Sequence, residues 1–321
     1  MEQEKRKTKI PGRREFLLDV TAAASAGWIG WRGARSSCAA EDKWDLSDTA
    51  QWRIGCFTRP WGQFDYRAAL DAIAEAGFKY VGLMSTKPKG DAPWALVITT
   101  DTSVDEAQRA SDEARRRRLE IVSVYGGGIP VHRSLEAGID GLRKLIDNCQ
   151  AAKAPSLLMA GVNKQSLEEL YYKAIAECCD YAAERQVELA LKPHGPLNAT
   201  GPACRKAIER VAHRNFRLWY DPGNILAYSG GALDPVDDAA AVDGLVTGMC
   251  IKDYDPAARV KVTPGTGQVD FPRVLSRLNK GGFVGGPLVI ETLAPGDPES
   301  LLREARKARR FVEKLVNGKE P

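Results

Sequence analysis

Short apolar runs recur along the chain from residue 52 onward, and longer segments with the apolar period of a helix separate most of them. Runs of this length predict buried strands, and the amphipathic segments predict helices that cover them. Eight strands are predicted, usually 25–40 residues apart: Trp52–Phe57, Tyr80–Met84, Glu120–Tyr125, Ser156–Ala160, Val187–Lys192, Phe216–Asp221, Val246–Ile251 and Pro287–Glu291. A strand followed by a helix, eight times over in about 270 residues, predicts an α/β fold of the single-domain (β/α)8 TIM-barrel type.

The predicted helices have recognisable ends. The helix that starts at Tyr66 stops before Gly77, and the helix that starts at Ser103 ends in four arginines, which suit the negative end of a helix dipole. The others are 166–185, 203–212, 271–280 and 299–317. After the sixth strand the pattern is less regular, so we expect 222–223 to turn the chain and a short helix to begin at 234–235.

A doubly wound open sheet is the alternative arrangement of alternating strands and helices. It would favour a glycine-rich turn after the first strand, where this chain has Cys-Phe-Thr-Arg-Pro at 56–60. We therefore expect a barrel over residues 51–317, preceded by a short segment at 41–50.

Composition changes this picture little. Of the 321 residues 44% are hydrophobic and 27% charged, which is ordinary for a globular protein. The formal charge of +4 arises in residues 1–40, which hold eight Lys/Arg and four Asp/Glu, so the remainder is formally neutral. A neutral domain lacks the basic surface that nucleic-acid binding requires, and we expect no nucleic-acid partner.

Residues 1–40 have the pattern of an export signal. A basic start leads to the twin arginines Arg13-Arg14, then to a short run from Leu17 to Trp31, and small residues at 36–40 offer a cleavage site. The run is too short to span a membrane, so we expect no stable span in the mature protein. The prediction is a periplasmic or cell-envelope location by twin-arginine export. A basic tail and a lipid anchor on Cys38 are the alternatives.

Polar side chains end several predicted strands, and the carboxyl ends of barrel strands are where catalytic residues gather. Glu291, Lys192 and Asp221 each finish an apolar run, and His194 follows in a loop. We predict these four as the catalytic residues: Glu291 with a raised pKa as the base, and Lys192 as a cationic acid/base or electrostatic group or as a Schiff-base amine. A structural ion pair at Lys192, a turn-capping role for Asp221 and a structural His194 are the alternatives.

Four further residues are candidate substrate contacts. Asn224 follows Asp221 closely, and Lys252 ends the seventh strand, with Cys250 on the same face by alternation. Lys252 could instead form a structural pair with its neighbour at the rim. Arg59 and Trp61 follow the first strand and could line a sugar pocket or pack in the core. A glycine run at 126–128 could cradle a phosphate, although such runs more often relax a tight loop.

These motifs resemble the xylose isomerase-like TIM-barrel family, the sugar phosphate isomerase/epimerase group, over residues 50–316. The resemblance rests on four segments: Tyr220-Asp221-Pro-Gly-Asn224, Ile251-Lys-Asp253, Pro264-Gly-Thr-Gly-Gln-Val-Asp-Phe271 and Val289-Ile-Glu291. It implies a divalent metal at the mouth, held by Glu, Asp, His and Glu from strands five to eight, and proton transfer through an enediolate.

Two of the four ligands implied by that resemblance are absent. Asp221 and Glu291 match, whereas Lys192 stands at the strand-five Glu and Cys250 at the strand-seven His. The first alternative is a metal-free site, with Lys192 bridging Asp221 and Glu291. The second is one divalent ion (Mn, Mg, Zn or Co) held by Asp221 and Glu291, with His194 as a further ligand. Cys250 does not suit a hard-metal site.

The resemblance implies an enzyme that acts on a small carbohydrate or keto-sugar. We predict a sugar isomerase or epimerase that removes a proton alpha to a carbonyl. A keto-sugar lyase or hydrolase and a non-catalytic sugar-binding barrel are the alternatives. A DNA-repair endonuclease of the same fold would need several metals held by many histidines, and this chain has three.

Overall fold

The computed structural model of the protein describes residues 52–88, 90 and 92–317. Eight parallel strands close into a barrel in the order β1-β8-β7-β6-β5-β4-β3-β2. Their bounds are β1 Trp52–Phe57, β2 Tyr80–Leu83, β3 Glu120–Tyr125, β4 Ser156–Met159, β5 Glu188–Leu191, β6 Phe216–Tyr220, β7 Val246–Ile251 and β8 Gly286–Ile290. The prediction of a single-domain (β/α)8 barrel is confirmed. The predicted export signal at 1–40 and the segment at 41–50 lie outside the described residues.

Nine helices occur within the described residues: α1 Tyr66–Glu75, α2 Val104–Arg116, α3 Leu135–Ala151, α4 Glu168–Glu184, α5 Gly201–Val211, α6 Pro222–Ser229, α7 Pro235–Ala239, α8 Phe271–Lys280 and α9 Pro298–Val316. Side-chain caps define many starts, because the first N–H groups of a helix lack partners. Ser103 and Glu106 form a capping box at α2, and Asp270 caps α8. A two-stranded antiparallel ladder, Ser85–Thr86 with Ala95–Leu96, lies outside the barrel sheet.

The structure corrects the sequence prediction after the sixth strand. Pro222-Gly223 does not turn the chain but occupies the first turn of α6, where proline is well tolerated because its missing N–H has no helical partner there. The helix α3 was also absent from the predicted set. None of the helices within the described residues is long and apolar enough to cross a membrane.

The apolar interior has two parts. The larger packs the outer faces of the strands against the helices. The smaller fills the barrel with inward-facing side chains: Phe57, Met84, Val122, Leu158, Ala190, Trp219, Cys250 and Val289. Gly82 makes room for Phe57, since a Cβ there would lie 2.2 Å from its ring. This filled barrel leaves the carboxyl ends of the strands as the place where polar side chains can meet.

Candidate functional site

Four charged residues stand at equivalent positions, each directly after its strand: Lys192 after β5, Asp221 after β6, Lys252 after β7 and Glu291 after β8. The residues two positions earlier fill the barrel interior, so alternation directs all four side chains toward the barrel axis. All four are buried. Several predicted strands ended one residue too late because these residues begin the loops rather than end the ladder.

The four side chains form one ion-pair network. The ammonium of Lys192 lies 3.1 Å from Asp221 Oδ2 and 2.5 Å from Glu291 Oε2. The ammonium of Lys252 lies 2.9 Å from the same Asp221 oxygen and 2.7 Å from Glu291 Oε1. Arg59, in the segment after the neighbouring strand β1, pairs with Glu291 Oε1. Two lysines therefore bridge two carboxylates, and an arginine reaches one of those carboxylates from a partly exposed position.

Asp221 and Asn224 fix this network to the backbone. Asp221 Oδ1 accepts the Asn224 N–H at 3.0 Å and caps α6, which leaves Oδ2 for the lysines. The side-chain oxygen of Asn224 accepts from Lys252 at 3.1 Å, and its amide donates to the Pro193 carbonyl at 2.7 Å. Asn224, a predicted substrate contact, thus orients Lys252 and ties the loop after β5 to α6.

The electrostatics of Glu291 overturn one prediction. Burial alone would raise its pKa, but Lys192, Lys252 and Arg59 outweigh burial and hold the pKa of Glu291 well below its usual value. Glu291 therefore does not have the raised pKa predicted for a base near neutrality. The reason is the three cations supplied by other barrel strands and by the loop after β1.

The two lysines differ in their electrostatics. Burial acts to lower the pKa of Lys192, yet the carboxylates of Glu291 and Asp221 outweigh it and raise that pKa well above its usual value. The pKa of Lys252 is lowered, because burial and the neighbouring Lys192 together exceed the attraction of the carboxylates. Lys192 is thus a permanent positive charge, and Lys252 is the ammonium that releases a proton more readily.

Aromatic and imidazole rings surround the mouth. Burial, with Lys192 and Lys252 close by, lowers the pKa of His194 to about 4, so its imidazole is neutral near pH 7. The His194 ring packs edge-on against Tyr228 at 5.4 Å. Tyr125 ends β3, and burial raises its pKa against the opposing effect of Lys192. His194 therefore cannot serve as a protonated acid near neutrality.

The other predicted contacts separate into rim and core. The Arg59 side chain is 39% exposed at the mouth. Trp61 is 2% exposed and belongs to the hydrophobic core, and its indole N–H has no hydrogen-bond partner within the described residues. The structure thus brings Arg59, Asn224 and Lys252 into contact with the predicted catalytic residues Lys192, Asp221 and Glu291. It places the predicted catalytic residue His194 against Tyr228 rather than in the ion-pair network, and it buries Trp61.

Asp253 does not pair with Lys252 at the rim, as one alternative held. Its carboxylate accepts backbone N–H groups of the glycine-rich loop, from Gly265 at 3.0 Å, Gly267 at 2.8 Å and Val269 at 3.0 Å. The loop therefore fastens to the end of β7, next to Lys252. This contact gives the glycine-rich motif a structural role.

The donor set does not fit the divalent metal that the resemblance implied. Oxygens of Asp221 and Glu291 and the Cys250 sulfur lie within 4.8 Å of one another. However, two ammonium groups already occupy the carboxylate oxygens that would face the ion. Burial also raises the pKa of the Cys250 thiol well above its usual value, and metals bind the thiolate. The positive charge at this position comes from lysines.

The chain matches a known protein family over most of its length. Residues 70–314 match the family model described as Xylose isomerase-like TIM barrel. The chain belongs to that family. A search of curated proteins finds no match.

Several solved structures of the xylose isomerase-like fold resemble this chain. A xylose isomerase domain protein from Planctomyces limnophilus shares 19% identity, with 84% of this chain and 98% of the other covered and a TM-score of 0.64. A D-psicose 3-epimerase from Clostridium cellulolyticum H10, solved with D-tagatose, shares 14% identity over 82% and 99% of the chains, with a TM-score of 0.64. An L-ribulose 3-epimerase shares 15% identity over 84% and 95%, with a TM-score of 0.63. At these identities the likeness concerns the fold.

Sequence reasoning missed two residues of this xylose isomerase-like mouth. Tyr125 is the last residue of β3, and Tyr228 lies on α6 beside His194. The signal for Tyr125 was available, because it finishes an apolar run at the same end of the barrel where the charged residues lie. The sequence analysis instead considered the glycine run that follows Tyr125, as a possible phosphate-binding loop.

Proposed function

We propose that this protein is a metal-independent carbohydrate enzyme of the isomerase/epimerase type, which moves a proton alpha to a carbonyl through an enediolate. The observation that carries the proposal is the pair of ammonium groups held against two carboxylates at the carboxyl end of the barrel. Two ammonium charges equal the charge of a divalent ion. The likeness in fold to 3-epimerases of ribulose and psicose supports a carbohydrate substrate.

Each residue has a role in this proposal. Glu291, ionised near neutrality, accepts the proton from the carbon next to the carbonyl. Lys192 keeps its charge and stabilises the oxygen that becomes negative, which is the largest contribution that a preorganised site makes. Lys252, with its lowered pKa, donates a proton to that oxygen, giving an enediol. Asp221 and Asn224 orient the lysines. Lys252 then takes back the proton of the neighbouring enediol hydroxyl while Glu291 returns its proton to the former carbonyl carbon, so the carbonyl moves by one carbon and both groups regain their starting states. For an epimer, water supplies the proton to the other face of the first carbon, Lys252 takes back its proton, and Glu291 releases its proton to water.

Glu291 is a weak base because its pKa is low, so the two ammonium groups must make the substrate proton more acidic. They do so by stabilising the enediolate more than the ketone. The same first step begins a β-elimination when a leaving group stands on the next carbon. The keto-sugar lyase alternative therefore differs in its substrate rather than in its residues.

Proton exchange tests the proposal directly. The full chain is incubated in D2O with D-fructose, D-psicose, D-tagatose, L-ribulose and their keto-acid analogues, and deuterium at the carbon alpha to the carbonyl is followed by NMR. We expect exchange that persists after dialysis against EDTA. The variant Glu291→Asp keeps the charge but withdraws the carboxylate by one methylene, and it should exchange at least about 100-fold more slowly, since small misplacements cost this much.

The matched control is Arg306→Met, which removes a partly exposed arginine ion-paired with Glu75 outside the mouth. It should exchange like the unmodified protein. Full exchange by Glu291→Asp would rule out Glu291 as the acceptor. Loss of exchange with EDTA and its return with Mn²⁺ would rule out metal-independent chemistry.

A non-catalytic sugar-binding barrel is the second candidate. It is favoured by the mutual pairing of the four buried charges at the ends of β5–β8, which leaves each of them with an opposite charge already in contact. Saturable binding of a sugar with no exchange across the panel would select this candidate.

We also propose export to the periplasm or cell envelope, on the twin-arginine pattern at the N-terminus. The six free cysteines of the described residues are all buried, as suits a protein that folds in a reducing compartment before export. Expression of the full chain in a twin-arginine-competent bacterium, followed by fractionation and N-terminal sequencing, tests this. A cytoplasmic protein with an intact N-terminus would contradict it.

A further inference from the structure

The charges in contact at the mouth do not cancel. Arg59, Lys192 and Lys252 are cationic, and Asp221 and Glu291 are the carboxylates they contact. The two lysines and the two carboxylates are at most 2% exposed, so water screens them poorly. An additional positive charge that borders these poorly screened pairs favours a negatively charged partner.

Neighbouring ionisable groups do not provide the missing negative charge. Burial raises the pKa of the Tyr125 phenol and, far more, that of the Cys250 thiol, so both are neutral near pH 7. His194 is neutral for the reason given above. The Asp253 carboxylate accepts hydrogen bonds from backbone N–H groups of the loop after β7 and is not among the ion-pair partners of these cations. Within the set of side chains in mutual contact, three cations therefore face two carboxylates, an excess of one positive charge.

Arg59 is the cation of this set that is partly exposed to solvent. Its side chain is 39% exposed, whereas those of Lys192 and Lys252 are 2% exposed. One terminal nitrogen donates to Glu291, and the other guanidinium nitrogens have no hydrogen-bond partner within the described residues. A guanidinium with unused N–H groups is suited to bind a carboxylate through two parallel hydrogen bonds.

We propose that the ligand of this mouth is a carbohydrate bearing one carboxylate, a uronic or keto-aldonic acid, and that Arg59 binds that carboxylate. This inference rests on the proposed function and deepens it by naming the substrate class. One unit of excess charge matches a carboxylate better than a phosphate monoester, which carries about −1.5 to −2 near neutrality. The neutral rings of Tyr125 and His194 leave the sugar hydroxyls with uncharged partners.

Calorimetric titration of the full chain tests the inference with matched pairs of ligands. D-fructose and 2-keto-D-gluconate differ only in a hydroxymethyl group against a carboxylate, and D-glucose and D-glucuronate form a second such pair. D-fructose 6-phosphate tests the phosphate. We expect the acids to bind about 10- to 100-fold more tightly than their neutral partners, the range of a charge-assisted hydrogen bond.

Variants then locate the preference. Arg59→Met and Arg59→Gln should lower the ratio of the affinities for the acid and its neutral partner to near one. Arg59→Lys, which keeps the charge, should retain part of the preference for the acid. The control Arg306→Met has the same 39% exposure and a single ion pair with Glu75, and it should retain all of it. Either neutral variant suffices if the other fails to fold.

Three outcomes would overturn the inference: equal affinity for acid and neutral partner, a preference unchanged in both neutral Arg59 variants, or tighter binding of D-fructose 6-phosphate than of 2-keto-D-gluconate. The test is also independent of turnover. Acids that bind tightly without deuterium exchange would support the inference and refute the proposed enzyme. Neutral ketoses that undergo deuterium exchange and bind as tightly as the acids would support the proposed enzyme and refute the inference.

Discussion

Replacing Glu291 by glutamine should destabilise the protein strongly, and a second substitution should partly restore stability. Glu291→Gln keeps the shape of the side chain but leaves Lys192, Lys252 and Arg59 facing the single carboxylate of Asp221. At an effective dielectric constant of about 20, two unit charges 2.5 Å apart attract by about 6–7 kcal/mol, most of which the cost of burial offsets. Breaking a buried pair by removing one partner costs about 3–5 kcal/mol, and we expect that loss here.

The rescue follows from the charge count. Lys192→Met alone leaves two cations against two carboxylates, so it should cost less, about 1–3 kcal/mol, mainly through lost hydrogen bonds. Added to Glu291→Gln, it removes one of three crowded cations. We therefore expect the double variant to be more stable than Glu291→Gln by about 1–2 kcal/mol, a coupling within the range of contacting residues.

Urea denaturation followed by circular dichroism and tryptophan fluorescence measures these differences, provided that the slope of the transition is the same for all variants. Arg306→Met again serves as the control and should change stability by less than about 1 kcal/mol, as is usual for exposed pairs. The reasoning is refuted if Glu291→Gln costs no more than this control, or if Lys192→Met lowers the stability of Glu291→Gln further.

Two further predictions concern a carboxyl group below the mouth and the metal ligands that the family resemblance implied. Glu188 accepts a hydrogen bond from Thr247 at 2.8 Å, and burial raises its pKa from 4.5 to about 6. Below pH 4.5 the carboxyl is protonated in both the folded and the unfolded protein, so its burial has no ionisation cost. As the pH rises through 6, the unfolded state ionises more easily than the folded state, and the free energy of unfolding falls by about 2 kcal/mol. Glu188→Gln should thus stabilise the protein at pH 7.5 and not at pH 4.5 in urea denaturation, and equal effects at both would contradict this. The double variant Lys192→Glu with Cys250→His restores the ligand types implied by the family resemblance, so it should bind Co²⁺ or Mn²⁺ by calorimetry where the parent protein does not. If the double variant, like the parent protein, does not bind Co²⁺ or Mn²⁺, the remaining ammonium of Lys252 is enough to exclude the ion.

The sequence predicted the barrel because strand and helix periods are local properties. Each apolar run carries its own evidence, and eight in series leave few other architectures. Strand ends were less accurate: Lys192 and Asp221 were assigned to strands, although they begin the loops. Pro222-Gly223 was predicted to turn the chain because both residues favour turns, but proline is also favoured in the first turn of a helix, where the structure has it.

The candidate site was predicted as a set of residues but not in its electrostatics. That Lys192 contacts Asp221 and Glu291 was weighed from the family pattern, and the distances show the contact. The low pKa of Glu291 could not be anticipated, because it depends on Lys252 and Arg59, which are distant in sequence. Such values depend on where separate strands bring their ends together.

The two oxygens of the Asp221 carboxylate bind different partners, and this couples the start of α6 to the charged network. One oxygen holds the first turn of α6 through the Asn224 amide, and the other holds both lysines. A carboxyl group committed at both oxygens cannot rotate without giving up one of them. Any ligand that withdraws a lysine from Asp221 therefore changes how firmly the helix start is fastened, and the exchange rate of the Asn224 amide hydrogen will register that change.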